Sequence, residues 1–113
     1  MKWAKQLLVV TACSIASMAY ADLNIGQTTT VTAKVNSFVC GEDGCYLMIS
    51  TAKQPKLQTI CAGAKPCGQW ADQVAELGQE LKINRRAKVS LQAEMFEPAG
   101  EAMWHVTQIR WIK

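Results

Sequence analysis

The chain has 113 residues, half of them hydrophobic, with 12 basic and 9 acidic side chains and a single histidine. That length holds one domain, and the net charge of +3 owes much to two N-terminal lysines, so it does not supply the clustered cations a nucleic-acid binder needs to displace counterions. One histidine and scattered carboxylates also offer little from which to build a catalytic centre.

Lys2 and Lys5 precede an apolar run over residues 7–19 that is broken only by small hydroxyl side chains and a cysteine. Ala19-Tyr20-Ala21 then places small residues at the minus-three and minus-one positions of a signal-peptidase site. The pattern predicts a cleaved signal peptide over residues 1–21 and a mature domain over residues 22–113. A membrane anchor needs about 20 consecutive apolar residues; this run is shorter, so no transmembrane segment is expected after cleavage. A competing pattern is Val10-Thr11-Ala12-Cys13, which resembles a bacterial lipoprotein box with Cys13 as the lipidated residue. The apolar core before it is short against the roughly 7–15 residues of a signal core, and the Ala-Tyr-Ala site is preferred. Periplasmic or secreted location is therefore expected. Without the leader, ten basic face nine acidic side chains, a net charge of +1.

Cys40, Cys45, Cys61 and Cys67 fall in two pairs. In an oxidising compartment four cysteines read as two disulfides, with three connectivities open. Local pairing, Cys40–Cys45 and Cys61–Cys67, is favoured because Gly41 and Gly44 let the first loop turn tightly; each such short loop contributes about 2 kcal/mol on the chain-entropy estimate. A four-thiolate zinc site is the alternative. The first pair has knuckle spacing and the second, with five intervening residues, does not. No metal and no cofactor are expected.

Residues 22–27 are polar. From Thr28 to Val39 the chain alternates, with Val31, Ala33 and Val35 opposite Thr30, Thr32 and Lys34, the period of a half-buried strand. Phe38-Val39 breaks that alternation and predicts a bulge there. Residues 45–51 form a second strand, with Leu47 and Ile49 on one face and Tyr46 and Met48 on the other. After a turn around Pro55, residues 57–61 form a short third strand. The period then changes. Trp70, Val74 and Leu77 make one stripe of an amphipathic helix, preceded by Pro66 and closed by Gly78. Residues 79–86 lead into a fourth strand over residues 87–95, where Ala87, Val89, Leu91, Ala93 and Met95 alternate with polar residues. A turn over residues 97–101 precedes a last strand over residues 102–112. In that strand a bulge near Thr107-Gln108 would put Trp104, Val106, Ile109 and Trp111 on one face; the alternative is that one tryptophan is exposed.

Three strands, one helix and two strands, at this length, resemble an OB-fold, a mainly β, five-stranded Greek-key barrel with its helix between strands three and four. The order is similar to that of small exported bacterial OB-fold proteins and, more distantly, of pentameric toxin B subunits. A cystatin-like α+β sheet is the structural rival, although it usually places its helix nearer the N-terminus. The resemblance implies a binding module with no enzymatic activity, whose ligand meets the face of strands two and three and the adjoining loops. The candidate binding residues are then Tyr46, Met48, Lys53 and Lys56, with Trp104 as a possible aromatic anchor. The ligand class expected is a small or sugar-like molecule. The alternative is a protein-partner module, such as an inhibitor, an assembly subunit or a toxin-type B subunit, for which an oligomer is possible. Nucleic acid is disfavoured by the near-neutral charge and by export. Lys82, Arg85, Arg86 and Lys88 form the only basic cluster in the sequence and read as a solvated strand entrance.

Overall fold

A computed structural model describes residues 23–61, 63–97 and 100–113. Residues 1–21, where a signal peptide is expected, and with them Cys13, lie outside the described residues, as do Asp22, Ala62, Pro98 and Ala99. The protein is mainly β: β1 (Thr28–Cys40), β2 (Cys45–Ser50), β3 (Leu57–Ile60), α1 (Lys65–Leu77), β4 (Leu81–Phe96) and β5 (Glu101–Trp111). The five strands form one sheet, paired in the order β1-β2-β3-β5-β4, and β4 returns to pair with β1, so the sheet closes on itself. All pairings are antiparallel except β3 with β5, which meet at Ile60 and His105.

Alternation decides what fills the interior. Ala33, Val35 and Phe38 from β1, Leu47 and Ile49 from β2, and Ala87, Val89 and Leu91 from β4 are all buried in one cluster. Polar Thr59 sits among them, fully buried, and its hydroxyl donates to the Leu47 carbonyl at 2.8 Å. A buried hydroxyl that keeps a partner is tolerated, whereas losing one side of such a bond costs about 1–2 kcal/mol. Thr59→Val, which keeps the shape, is expected to lower stability by about 1 kcal/mol in urea unfolding; no change would mean that the bond contributes nothing net.

Two irregularities bend the long strands. The register of β1 shifts between Val35 and Ser37 against both neighbours: against β2 Asn36 is the extra residue, whereas against β4 it faces two residues, Ile83 and Asn84. The bulge expected at Phe38-Val39 therefore lies two residues earlier. Asn36 holds it: its side-chain amide donates to Ser50 Oγ at 2.7 Å, and Ser50 in turn donates to the Pro55 carbonyl at 2.6 Å. On the facing strand Asn84 adopts φ 53°, a left-handed conformation that asparagine tolerates better than most residues. The second shift, between Ser90 and Leu91, leaves Thr107 extra on β5. It pairs Trp104 with Ala93, Val106 with Leu91, Ile109 with Val89 and Trp111 with Ala87. Trp104, Val106, Ile109 and Trp111 thus share the inward face, the outcome expected with a bulge near Thr107-Gln108.

The helix covers one end of the closed sheet. Trp70 stands 5.7 Å from the Phe38 ring and 6.0 Å from Trp111, while the Arg85 guanidinium lies 4.3 Å over Trp111. Cys67 and Val74 are buried beside Trp70 and Ala71. Leu77 departs from the expected stripe and is 55% exposed, because the contact face runs through Cys67, Trp70, Ala71 and Val74 and ends a turn earlier. Pro66 lies inside the first helical turn, where its missing N–H has no partner to lose. Gly78 closes the helix at φ 70°, donating to the Val74 carbonyl at 2.8 Å. β4 begins at Leu81, six residues before the expected start, and Met95 stays in the inward phase but is exposed near the end of that strand.

Candidate functional site

The two disulfides are Cys40–Cys45 and Cys61–Cys67, the local pairing. The first closes the β1–β2 hairpin across Cα atoms 4.0 Å apart, and Gly41 donates to the Gly44 carbonyl inside its loop. The second ties the chain just beyond β3 to the first turn of α1. Disulfides of this kind belong to an oxidising compartment. Among the described residues no three histidine, cysteine or acidic side chains are grouped to hold a metal, and no helix is long and apolar enough to cross a membrane.

The outward face carries the unusual feature. Residues that pair directly across antiparallel strands share a face, so the outward set follows from register. Tyr46 pairs with Ile60, Ile60 with His105, and His105 with Gln92. The outward series of β4, Lys88, Ser90, Gln92 and Glu94, ends on Phe96. Its backbone lies opposite Glu101, four residues from His105, yet its ring stands 6.5 Å from the imidazole and 6.0 Å edge-on from Tyr46. The Phe96 ring therefore reaches back along β5 toward His105. Met103 and Ile60, both outward by register, are only 6% exposed and lie apart from the interior cluster. The result is an aromatic platform of Tyr46, Phe96 and His105, all half-buried, on the outside of the sheet.

Polar groups frame it. The Gln92 amide donates to Glu94 Oε2 at 2.6 Å. His105 Nδ1 lies 3.0 Å from the Met103 carbonyl; a carbonyl only accepts, so Nδ1 holds a proton. A neutral imidazole then presents Nε2 as an acceptor. Both loops that approach the platform are acidic: Glu42 and Asp43 lie in the β1–β2 loop, where a Cβ placed on Gly44 would meet the Phe96 ring at 4.0 Å, and Glu97 and Glu101 flank the β4–β5 turn. Next to the platform a groove of about 280 Å³ runs between the two disulfides, lined by Gly44, Cys45, Ile60, Cys61, Cys67 and Ala71.

Of the residues singled out from sequence, Tyr46 and Met48 are outward and half-buried on β2, and Tyr46 belongs to the platform. Lys53 and Lys56 are exposed in the turn at the opposite end of β2. Trp104 pairs with Ala93 and packs against the interior cluster, so it does not join this face. Phe96 and His105 were not singled out as binding residues, although Phe96 carries a readable sign: it is an aromatic ring continuing an otherwise polar series at alternate positions. Compared with models of known families, with characterised proteins and with solved structures, the chain matches none.

Proposed function

We propose that the chain is an exported, non-enzymatic binding module built on an OB-like Greek-key barrel, which takes a small or sugar-like ligand on the outer face of β2, β3 and β5. The strand order and the helix between β3 and β4 support the OB reading, because OB barrels bind oligosaccharides and oligonucleotides on the strand 2–3 face between the first and last hairpin loops. The observation that carries the functional reading is the Tyr46–Phe96–His105 platform, which stands between those same two loops. Rings that fill no interior space offer a flat apolar surface for the C–H face of a sugar, with Gln92, Glu94 and His105 Nε2 at its margin for hydroxyls. The acidic loops turn this end against anions, so the ligand is uncharged or cationic. The two disulfides support export.

A glycan array carrying neutral, amino and acidic glycans, followed by titration of the strongest hit, tests the reading. The Tyr46→Ala/Phe96→Ala double variant is expected to lose about tenfold or more in affinity while keeping its fold. Undiminished binding by that variant would remove the platform from the site. A protein partner is the second reading, favoured by one observation: exposed Leu77 lies beside Val39 and Leu81 at the far end of the helix, along an open groove.

A further inference from the structure

The same outward face has a second pole. In β1, β4 and β5 the outward phase brings Lys34 opposite Arg86 and Lys88 opposite Arg110, and all four side chains are exposed. Paired positions lie about 5 Å apart at Cα, and Arg86 and Lys88 follow each other at about 7 Å along one strand. β1 contains no acidic residue, and the acidic residues of β4 and β5 are Glu94 and Glu101, at the opposite end of the sheet. The sequence shows only part of this group, since Lys34 and Arg110 join it through strand pairing.

Like charges set directly opposite each other destabilise a sheet. Two such pairs on adjacent rungs, with no carboxylate between them, are therefore a cost to folding that an anionic ligand would offset. Next to the cations come Thr30, Thr32, Ser90 and Gln108, a hydroxyl and amide surface on the outward phase. Over residues 22–113 ten basic side chains face nine acidic ones, and five of the nine, Glu42, Asp43, Glu94, Glu97 and Glu101, lie on the strand ends and loops of the platform end. Segregation, not total charge, makes this pole basic.

We propose that the Lys34–Arg86–Lys88–Arg110 ladder is a binding site for a linear acidic polysaccharide, separate from the aromatic platform. The spacing of the cations suits repeated sulfate or carboxylate groups along one chain, and the neighbouring hydroxyl and amide groups suit sugar hydroxyls. A single-stranded nucleic acid would gain from rings on which to stack its bases, and the rings of this face stand at its acidic end. A membrane surface would gain from apolar side chains entering the interface, and the apolar residue beside the ladder, Ile112, whose N–H donates to the Arg86 carbonyl, is half-buried.

Heparin and polygalacturonate serve as sulfated and carboxylated probes for the intact protein, measured by titration over a range of salt concentrations. Lys88→Gln/Arg110→Gln is expected to weaken heparin binding on the order of 20-fold at low salt, taking about fivefold per cation at an anionic surface, and to flatten the dependence of affinity on salt. Lys53→Gln/Lys56→Gln removes the same charge from the β2–β3 turn and is expected to change binding less than twofold. Thermal unfolding of the ladder variant is expected to occur at the same or a higher temperature, because a like-charge pair has gone. Equal losses from both double variants would reduce the effect to net charge and overturn the site. Tighter binding to phosphatidylglycerol vesicles or to a single-stranded oligonucleotide than to either polysaccharide would overturn the ligand class. Tyr46→Ala/Phe96→Ala leaves heparin binding intact if the two sites are separate; a loss there would overturn their independence.

Discussion

Phe38→Ala is expected to be the most damaging single substitution in the sheet, lowering stability by about 3–5 kcal/mol. Phe38 is fully buried, faces Leu47 on one neighbour and Leu81 on the other, and meets the Trp70 ring of the helix at 5.7 Å. Through this side chain β1, β2, β4 and α1 meet. Truncation would leave a cavity that the closed sheet cannot collapse around, because the bulge at Asn36 and the pairings beyond it fix the backbone on both sides. A small domain has about 5–15 kcal/mol in all, so the urea midpoint should fall by about 2 M. Trp70 should report the change as altered fluorescence even under native conditions. Phe96→Ala is the control: its ring is half-buried outside the sheet, and its removal is expected to cost clearly less. Equal losses from the two variants would contradict the division into a packed interior and an outer platform.

That division is also where reading the sequence stops. Alternation alone finds the inward residues of β1, β2 and β4, and the odd phase of Trp104 and Val106 against Ile109 and Trp111 requires a bulge that the structure places at Thr107. The first bulge is less visible, because what holds Asn36 is a bond to Ser50, fourteen residues away. The early start of β4 is hidden by left-handed Asn84 and two arginines, which look like a solvated lead-in although Arg85 covers Trp111. Both outer sites depend on register. Tyr46, Phe96 and His105 come from three strands, and Lys34 is more than fifty residues from Arg86. Which of many outward residues become neighbours is decided by where the bulges fall, and a local pattern does not contain that information.

Removing the second disulfide is expected to exceed the effect of removing the first. The chain-entropy contribution of a seven-residue loop is about 2 kcal/mol, and that of Cys40–Cys45 is nearly the same, so loop length does not separate them. Their surroundings do. Cys40 and Cys45 also pair in the β ladder, with Gly41 donating to Gly44 in the turn, and the hairpin persists without sulfur. Cys61 and Cys67 are 3% and 1% exposed and join the end of β3 to a helix that begins without a side-chain cap at Ala64. At that helix start Cys67 N–H donates to the Ala64 carbonyl at 3.1 Å, a single turn-type bond that remains once the disulfide is gone. Cys61→Ala/Cys67→Ala is therefore expected to lower the midpoint of thermal unfolding by about 10 °C or more, on a scale of about 4–8 °C per kcal/mol for a domain of this size. Cys40→Ala/Cys45→Ala should lower it by less. Amide exchange locates the cause, since the first turn of α1 should lose protection before β4 and β5 do. The reverse order of the two double variants would mean that the β1–β2 hairpin, not the helix junction, is the part that cross-linking holds.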